Sequence, residues 1–173
     1  MNQEGKLRLF LIFGADKILG ADNIAFLPGP SHVSLRKQLL PLFTTKALAT
    51  YLAKQEVRTR AKLELLLART QPEQVRTAMR DLILETSCDV FVGEYLTEEQ
   101  SAAMADSYLR MNDGLLCIPV AYPGGTQWKA IQARKEVVAI LETCVDKSKA
   151  KMAQGAAPTC LLDYWMEEQN RLA

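Results

Sequence analysis

The sequence predicts an all-α fold with no sheet, and three observations carry that expectation. Apolar residues recur at steps of three and four between breaks, prolines and glycines gather at the breaks, and no stretch asks for a strand. With 49% apolar and 24% charged residues over 173 positions, the chain has the size and composition of one globular domain. Such a chain buries roughly two thirds of its unfolded surface and needs no disulfide staples.

Taken in order, the elements follow from local chemistry. Lys6 and Arg8 ahead of the apolar residues 9–13 resemble a stunted signal peptide, but Asp16 follows with no small-x-small cleavage site. Ser31 is the candidate N-cap of a short helix carrying Leu35, Leu39 and Leu42, which Pro41 drives toward its end. Thr44 or Thr45 starts a longer helix. Its core candidates are Leu48, Tyr51, Leu52, Leu63, Leu66 and Leu67, while Arg58, Arg60 and Lys62 crowd a face expected to be wet.

After the break at Thr70, Gln71 and Pro72, residues Val75, Met79, Leu82, Ile83, Thr86 and Val90 trace the cleanest helical stripe, ending near Gly93. Thr97-Glu98-Glu99-Gln100 reads as a capping box. It launches a helix with Met104, Tyr108 and Met111 on one face, expected to stop around residues 112–114. Residues 115–125 form an apolar loop. A long helix over about residues 126–152 carries Ile131, Val138, Leu141 and Val145 beside Val137, Ile140 and Cys144, and Gly155 ends it. A last helix runs from Thr159 with Leu161, Leu162, Trp165 and Met166. The apolar loop should face a ligand, a membrane or a partner, so as a self-contained bundle the chain looks incomplete.

Charge and cysteine content narrow the function classes. Lys plus Arg number 21 against 20 Asp plus Glu, which gives no electrostatic argument for nucleic acid as a partner. The basic cluster Lys147, Lys149 and Lys151 reads as a solvated helix face near a helix C-terminus. Cys88, Cys117, Cys144 and Cys160 include no C-x-x-C pair, and one histidine accompanies them, so a zinc site is not expected. Three of them sit in apolar or helical stretches, as free thiols in a core do. The longest apolar runs fall far short of the eighteen or so residues of a membrane span, so no anchor is expected.

His32 and Arg36 stand four apart at the start of the first helix, so their side chains share one face where helix polarity favours an anion. A paired donor set of this kind suits a carboxylate. A lone histidine also serves as an ordinary surface or hydrogen-bonded residue, and spacing leaves both readings open.

The surrounding residues add to this. Gly29-Pro30-Ser31-His32-Val33-Ser34-Leu35-Arg36-Lys37-Gln38-Leu39, followed by Pro41-Leu42-Phe43-Thr44 and Ala47-Leu48, resembles the C-helix region of the cytochrome P-450 haem-thiolate enzymes. Leu84-Glu85-Thr86-Ser87, Val90-Phe91-Val92-Gly93 and Tyr95-Leu96 resemble the E helix of the sterol C-22 desaturases of plants, algae and fungi. Pro123-Gly124, Thr126 and Ala133-Arg134 resemble the loop between helices F and G. Lys147-Ser148-Lys149-Ala150-Lys151-Met152, Pro158-Thr159-Cys160-Leu161 and Asp163-Tyr164-Trp165-Met166 resemble the G to H region. The resemblance implies a helical piece of the P-450 fold, from the B–C loop through helix H, as one partial domain over residues 1–173.

It also implies haem b, a sterol substrate, an NADPH-cytochrome P-450 reductase and the endoplasmic reticulum membrane for a complete member, which introduces a double bond into the sterol side chain. By that resemblance His32 and Arg36 hold a haem propionate, and Lys37 lies on the surface facing the reductase. Ile24, Phe26, Leu27, Leu115, Leu116 and Ile118 border the sterol pocket, their alternative being interhelical packing.

Several family features have no counterpart. None of the four cysteines stands in the family's glycine-framed haem-ligand segment, and residues 139–143 lack the glycine of the oxygen-handling I-helix motif. Glu73-x-x-Arg76 and Glu168-x-x-Arg171 match E-x-x-R by letter at the wrong place in the order. Without an axial thiolate this chain alone is expected to be inactive. Two other readings stay open: a stand-alone helical interaction protein of the same descent, and a relative of another sterol-oxidising branch such as the 14α-demethylases.

Overall fold

The computed structural model describes residues 14–70 and 74–172, and among these there is no strand. The apolar residues 9–13 and the break at Gln71 and Pro72 lie outside the described residues. The helices are α1 (Ala15–Leu19), α2 (Gly29–Leu39), α3 (Thr45–Leu67), α4 (Val75–Phe91), α5 (Glu98–Leu115), α6 (Thr126–Ala153) and α7 (Leu161–Leu172). Short 3-10 turns, Leu40–Phe43 and Gly93–Tyr95, follow α2 and α4. Among the described residues no helix is long and apolar enough to cross a membrane.

The chain divides into two compact units, Met1–Leu40 with Asp106–Ala139, and Pro41–Ala105 with Ile140–Ala173. In the second unit α3 packs on α4, and both meet α7. Thr44 is the N-cap of α3, its hydroxyl accepting from Ala47 N at 3.3 Å, as the threonine pair predicts. The Tyr51 hydroxyl donates to the Leu42 carbonyl at 3.0 Å, and its ring meets Tyr164 edge-on with centroids 6.0 Å apart. Val92, Tyr95, Cys144 and Cys160 form a buried cluster flanked by Leu96, Ile140 and Leu162.

The expected core of α3 is corrected by the structure. Tyr51 and Ala47 are buried, whereas Leu52 and Leu67 are 65% and 86% exposed, and Leu48 and Leu63 are exposed as well. A helix contacting neighbours along one strip buries only what lies on that strip, and the periodicity of α3 marks apolar positions on more than one face. The basic face is not wet throughout either. Arg58 forks onto Asp89 at 2.7 and 3.0 Å, and Lys62, only 18% exposed, pairs with Glu85 at 2.9 Å, both bridging α3 to α4. On α4, Leu82 and Val90 are buried as read, but Val75 and Ile83 are exposed, and Ala78 and Cys88 take their place in the core.

In the first unit the small residues decide the packing. Gly114 lies within α5 rather than stopping it, since the helix continues to Leu115. A Cβ at Gly114 would collide with the Cβ of Ala130 on α6, and Ile18 Cδ1 stands 3.1 Å from the same point. Close approach of this kind buries Ala130 and Ala133 completely, while the larger Ile131, Val137 and Val138 sit half-buried at the flanks. Over the first half of α6 the expected apolar stripe is therefore displaced, because contact is made through its smallest residues, whereas Cys144 farther along is buried as expected. Ser107 Oγ and Arg110 Nη2 donate to Glu136 Oε2 at 2.7 and 2.6 Å, and these hydrogen bonds hold the Glu136 carboxyl below its usual range.

Candidate functional site

Helix α2 begins one turn earlier than a Ser31 cap would place it. Pro28 precedes it in extended conformation, Pro30 occupies its first turn, and no side chain caps it. Pro lacks the N–H that would be orphaned there and presets a helical φ, so two prolines replace the capping serine. Ser31 and His32 direct their N–H groups to the Pro28 carbonyl at 3.2 and 3.4 Å, and Ser31 is exposed.

His32 and Arg36 are one turn apart on α2, hence on one face. His32 is half-buried and Arg36 exposed. Among the described residues neither side chain makes a hydrogen bond or an ion pair. The sequence of α2 contains no acidic residue, so nothing on the helix itself competes for these donors. Only His32 belongs to the N-terminal end. Arg36 lies in the last turn with Lys37, where the helix dipole favours a cation rather than an anion, so the attraction expected from helix polarity applies to one member of the pair. A shallow hollow lies along the neighbouring face, lined by Gly29, Pro30, Val33, Ser34 and Lys37.

The six candidate pocket residues fall on two loops of the same unit. Ile24, Phe26 and Leu27 are half-buried in the turns between α1 and α2. Asn23 organises those turns: its side chain accepts from Ala25 N at 3.0 Å and its carbonyl from Phe26 N at 2.8 Å. Leu115 is half-buried at the end of α5, whereas Leu116 and Ile118 are 84% and 80% exposed. Val120 and Tyr122 are exposed beyond them, so the apolar loop presents hydrocarbon outward.

The most ordered polar constellation escaped the sequence. Asp163, in the first turn of α7, has a side chain with no solvent exposure. Its carboxylate accepts from Tyr95 Oη at 2.5 Å, Ser148 Oγ at 2.7 Å, Thr159 N at 2.9 Å and Thr159 Oγ1 at 3.0 Å, with Lys151 Nζ at 3.6 Å. Burial pushes this carboxyl up, but the hydrogen bonds from Tyr95, Ser148 and Thr159 outweigh it and hold the group at about 2. Burial pushes the Tyr95 hydroxyl up to about 12. Such a saturated carboxylate fastens α6, α7 and the turn at residues 93–95 together and has no free lone pair for substrate. Two of the supposed solvated lysines belong to this region: Lys151 bonds Glu94 at 2.7 Å and Lys147 the Tyr95 carbonyl at 3.0 Å. The visible signal was an acidic residue in the first turn of a helix, but its partners Tyr95 and Ser148 stand 68 and 15 residues away.

No protein-family model matches the chain. Curated relatives do. A probable cytochrome P450 524A1 of Dictyostelium discoideum is 39% identical over 166 residues, which is 95% of this chain and 31% of that protein. Cytochrome P450 710A4 of Arabidopsis thaliana is 39% identical over 86% of this chain and 31% of its own length. The chain spans about a third of the length of the curated relatives it matches. By this similarity and its helical architecture, the chain resembles a helical part of the cytochrome P450 superfamily. Within it, the relatives include the C-22 sterol desaturase ERG5A of Gibberella zeae, 35% identical over 88% of this chain and 30% of that protein.

Proposed function

We propose that this chain is part of a haem-thiolate oxidoreductase that desaturates a sterol side chain at the endoplasmic reticulum, with electrons from an NADPH-cytochrome P-450 reductase, and that the chain alone is inactive. The observation that carries the reading is the 35% identity to C-22 sterol desaturases, which extends over 88% and 90% of the chain in two fungal relatives. Haem b, ligated by a cysteine thiolate, supplies the oxygen chemistry of this class.

The residues of this chain fit the edge of that group rather than its iron. His32 and Arg36 offer an imidazole N–H and a guanidinium fork with no other demand on them among the described residues, which suits a propionate. Ile24, Phe26, Leu27, Leu115, Leu116 and Ile118 supply hydrocarbon for a sterol. The cysteines are poor candidates for axial ligation. Cys88, Cys144 and Cys160 are buried, and burial pushes their thiols up, Cys160 to about 11, which favours the thiol over the thiolate a metal needs. Cys117 turns its sulfur to the Gly114 carbonyl at 3.1 Å.

The purified chain is titrated with haemin and read by its carbon-monoxide difference spectrum. Absence of the thiolate-type band is expected, and a clear band overturns the inactivity of the chain alone. Arg36→Ala is expected to weaken haemin binding several-fold and Arg36→Lys to restore little of it, since an ammonium lacks the fork. The exposed Leu52, Leu67, Leu116 and Ile118 support the second reading, a helical interaction protein of the same descent. A monodisperse chain that melts cooperatively favours that reading, and aggregation or molten behaviour favours the first.

A further inference from the structure

Helix α1 is bounded by Gly14 and Gly20, whose φ values of +86° and +91° lie where only glycine is at ease. Ala15 and Ile18 are its buried residues, and among the described residues no hydrogen bond or ion pair joins it to α6. Two α6 side chains make the contact in another way. The Gln127 amide fills the space a Cβ on Gly14 would take, and the Arg134 guanidinium fills that of Gly20. Between them Ile18 reaches the place where Gly114 meets Ala130. Gln127 and Arg134 are seven residues apart, two helical turns, so they present along one face with Ala130 between.

Neither contact is explained by polar satisfaction. Gln127 is 2% exposed, and its buried Oε1 has no hydrogen-bond partner among the described residues, an unfavourable arrangement. Arg134 is half-buried, and among the described residues its side chain has no hydrogen bond or ion pair. Each side chain occupies a notch that a missing side chain opens in the opposing backbone. The two notches lie six residues apart, one at each end of α1, and sliding the segment would bring a Cβ of Ala15 or Leu19 toward Gln127 or Arg134, whose ends would then have to move.

We propose that Gln127 and Arg134 are positioning residues that fix the register of residues 14–27 on α6, and through it the placement of Ile24, Phe26 and Leu27. The consequence for ligand binding rests on the reading that these three border the sterol. Arg134 acts by seating its guanidinium, Nη2 foremost, against Gly20, a planar group that a lysine ammonium does not reproduce.

Hydrogen exchange on the 173-residue chain tests this. Arg134→Ala is expected to speed exchange several-fold in peptides covering residues 15–27, with exchange over residues 45–67 and the far-UV helix signal unchanged. Arg134→Lys is expected to leave that exchange fast, and Gln127→Ala to reproduce the effect from the other notch. Binding of the fluorescent sterol dehydroergosterol is expected to weaken several-fold in Arg134→Ala at an unchanged melting temperature. Unaltered exchange over residues 15–27 in Arg134→Ala, or full protection in Arg134→Lys, overturns the proposal. Altered exchange in a chain whose parent binds no sterol supports the positioning role and overturns the substrate reading instead.

Discussion

Two kinds of polar residue behave differently in this chain, and only one kind is legible in a string of letters. His32 and Arg36 announce themselves by spacing on a helix free of acidic residues, and the structure leaves their donors uncommitted among the described residues. Asp163 is silent in sequence because its hydroxyl and phenol donors come from α6 and from the turn after α4, and only folding assembles them. Its influence on stability has a definite sign. A carboxyl held at about 2 against an ordinary 3.8 contributes stability that is fully present above pH 4 and is lost as pH falls through 2. Asp163→Asn is expected to lower stability by about 2–4 kcal/mol at neutral pH, because Lys151 and the Tyr95, Ser148 and Thr159 donors lose their charged acceptor. Urea unfolding at pH 7 and pH 2.5 checks it. The gap between variant and parent should narrow at the lower pH, and a constant gap would count against the carboxylate as its source.

Helix boundaries were readable wherever backbone chemistry is local. The expected capping box is present, with Gln100 N donating to Thr97 Oγ1 at 3.2 Å and Thr97 N to Gln100 Oε1 at 3.1 Å. The span of α6 matches its expectation to a residue, and of the two threonines expected to start α3 it is Thr44 that caps it. Errors arose where a breaker served packing instead of termination. Gly114 looked like a stop for α5 but is a contact point, its missing side chain giving way to Ala130 and Ile18. Gly114→Ala would gain about 1 kcal/mol in helix propensity, yet overpacking of this kind costs about 1–3 kcal/mol, so net destabilisation is expected. A thermal melt decides between the two, since a stabilised variant would mean that α5 and α6 can separate to admit the methyl. The same logic explains the displaced first half of the α6 stripe: hydrophobicity ranks Ile131 and Val138 above alanine, but close helix approach selects Ala130 and Ala133.

At the scale of the whole chain, the all-α class followed from periodicity and breaker placement, and the superfamily from four separated blocks in one order. The core did not follow. Periodicity reports which positions are apolar, whereas burial depends on which face finds a neighbour, and α3 finds neighbours along the strip that holds Ala47 and Tyr51. Leu52 and Leu67 were therefore indistinguishable in sequence from Tyr51.

The sulfur atoms offer a way to watch each unit separately. Cys117 belongs to the unit built from the ends of α5 and α6 with α1 and α2, while Cys88, Cys144 and Cys160 belong to the other. A maleimide or iodoacetamide pulse read by mass should therefore tag one position early and the remaining three only when the α3, α4 and α7 assembly opens. Stepwise addition of one and then three adducts along a denaturant series would report two opening events, and simultaneous addition of all four would report a single one. A fourfold pattern of native thiols thus turns the chain into its own unfolding clock, with no foreign label introduced.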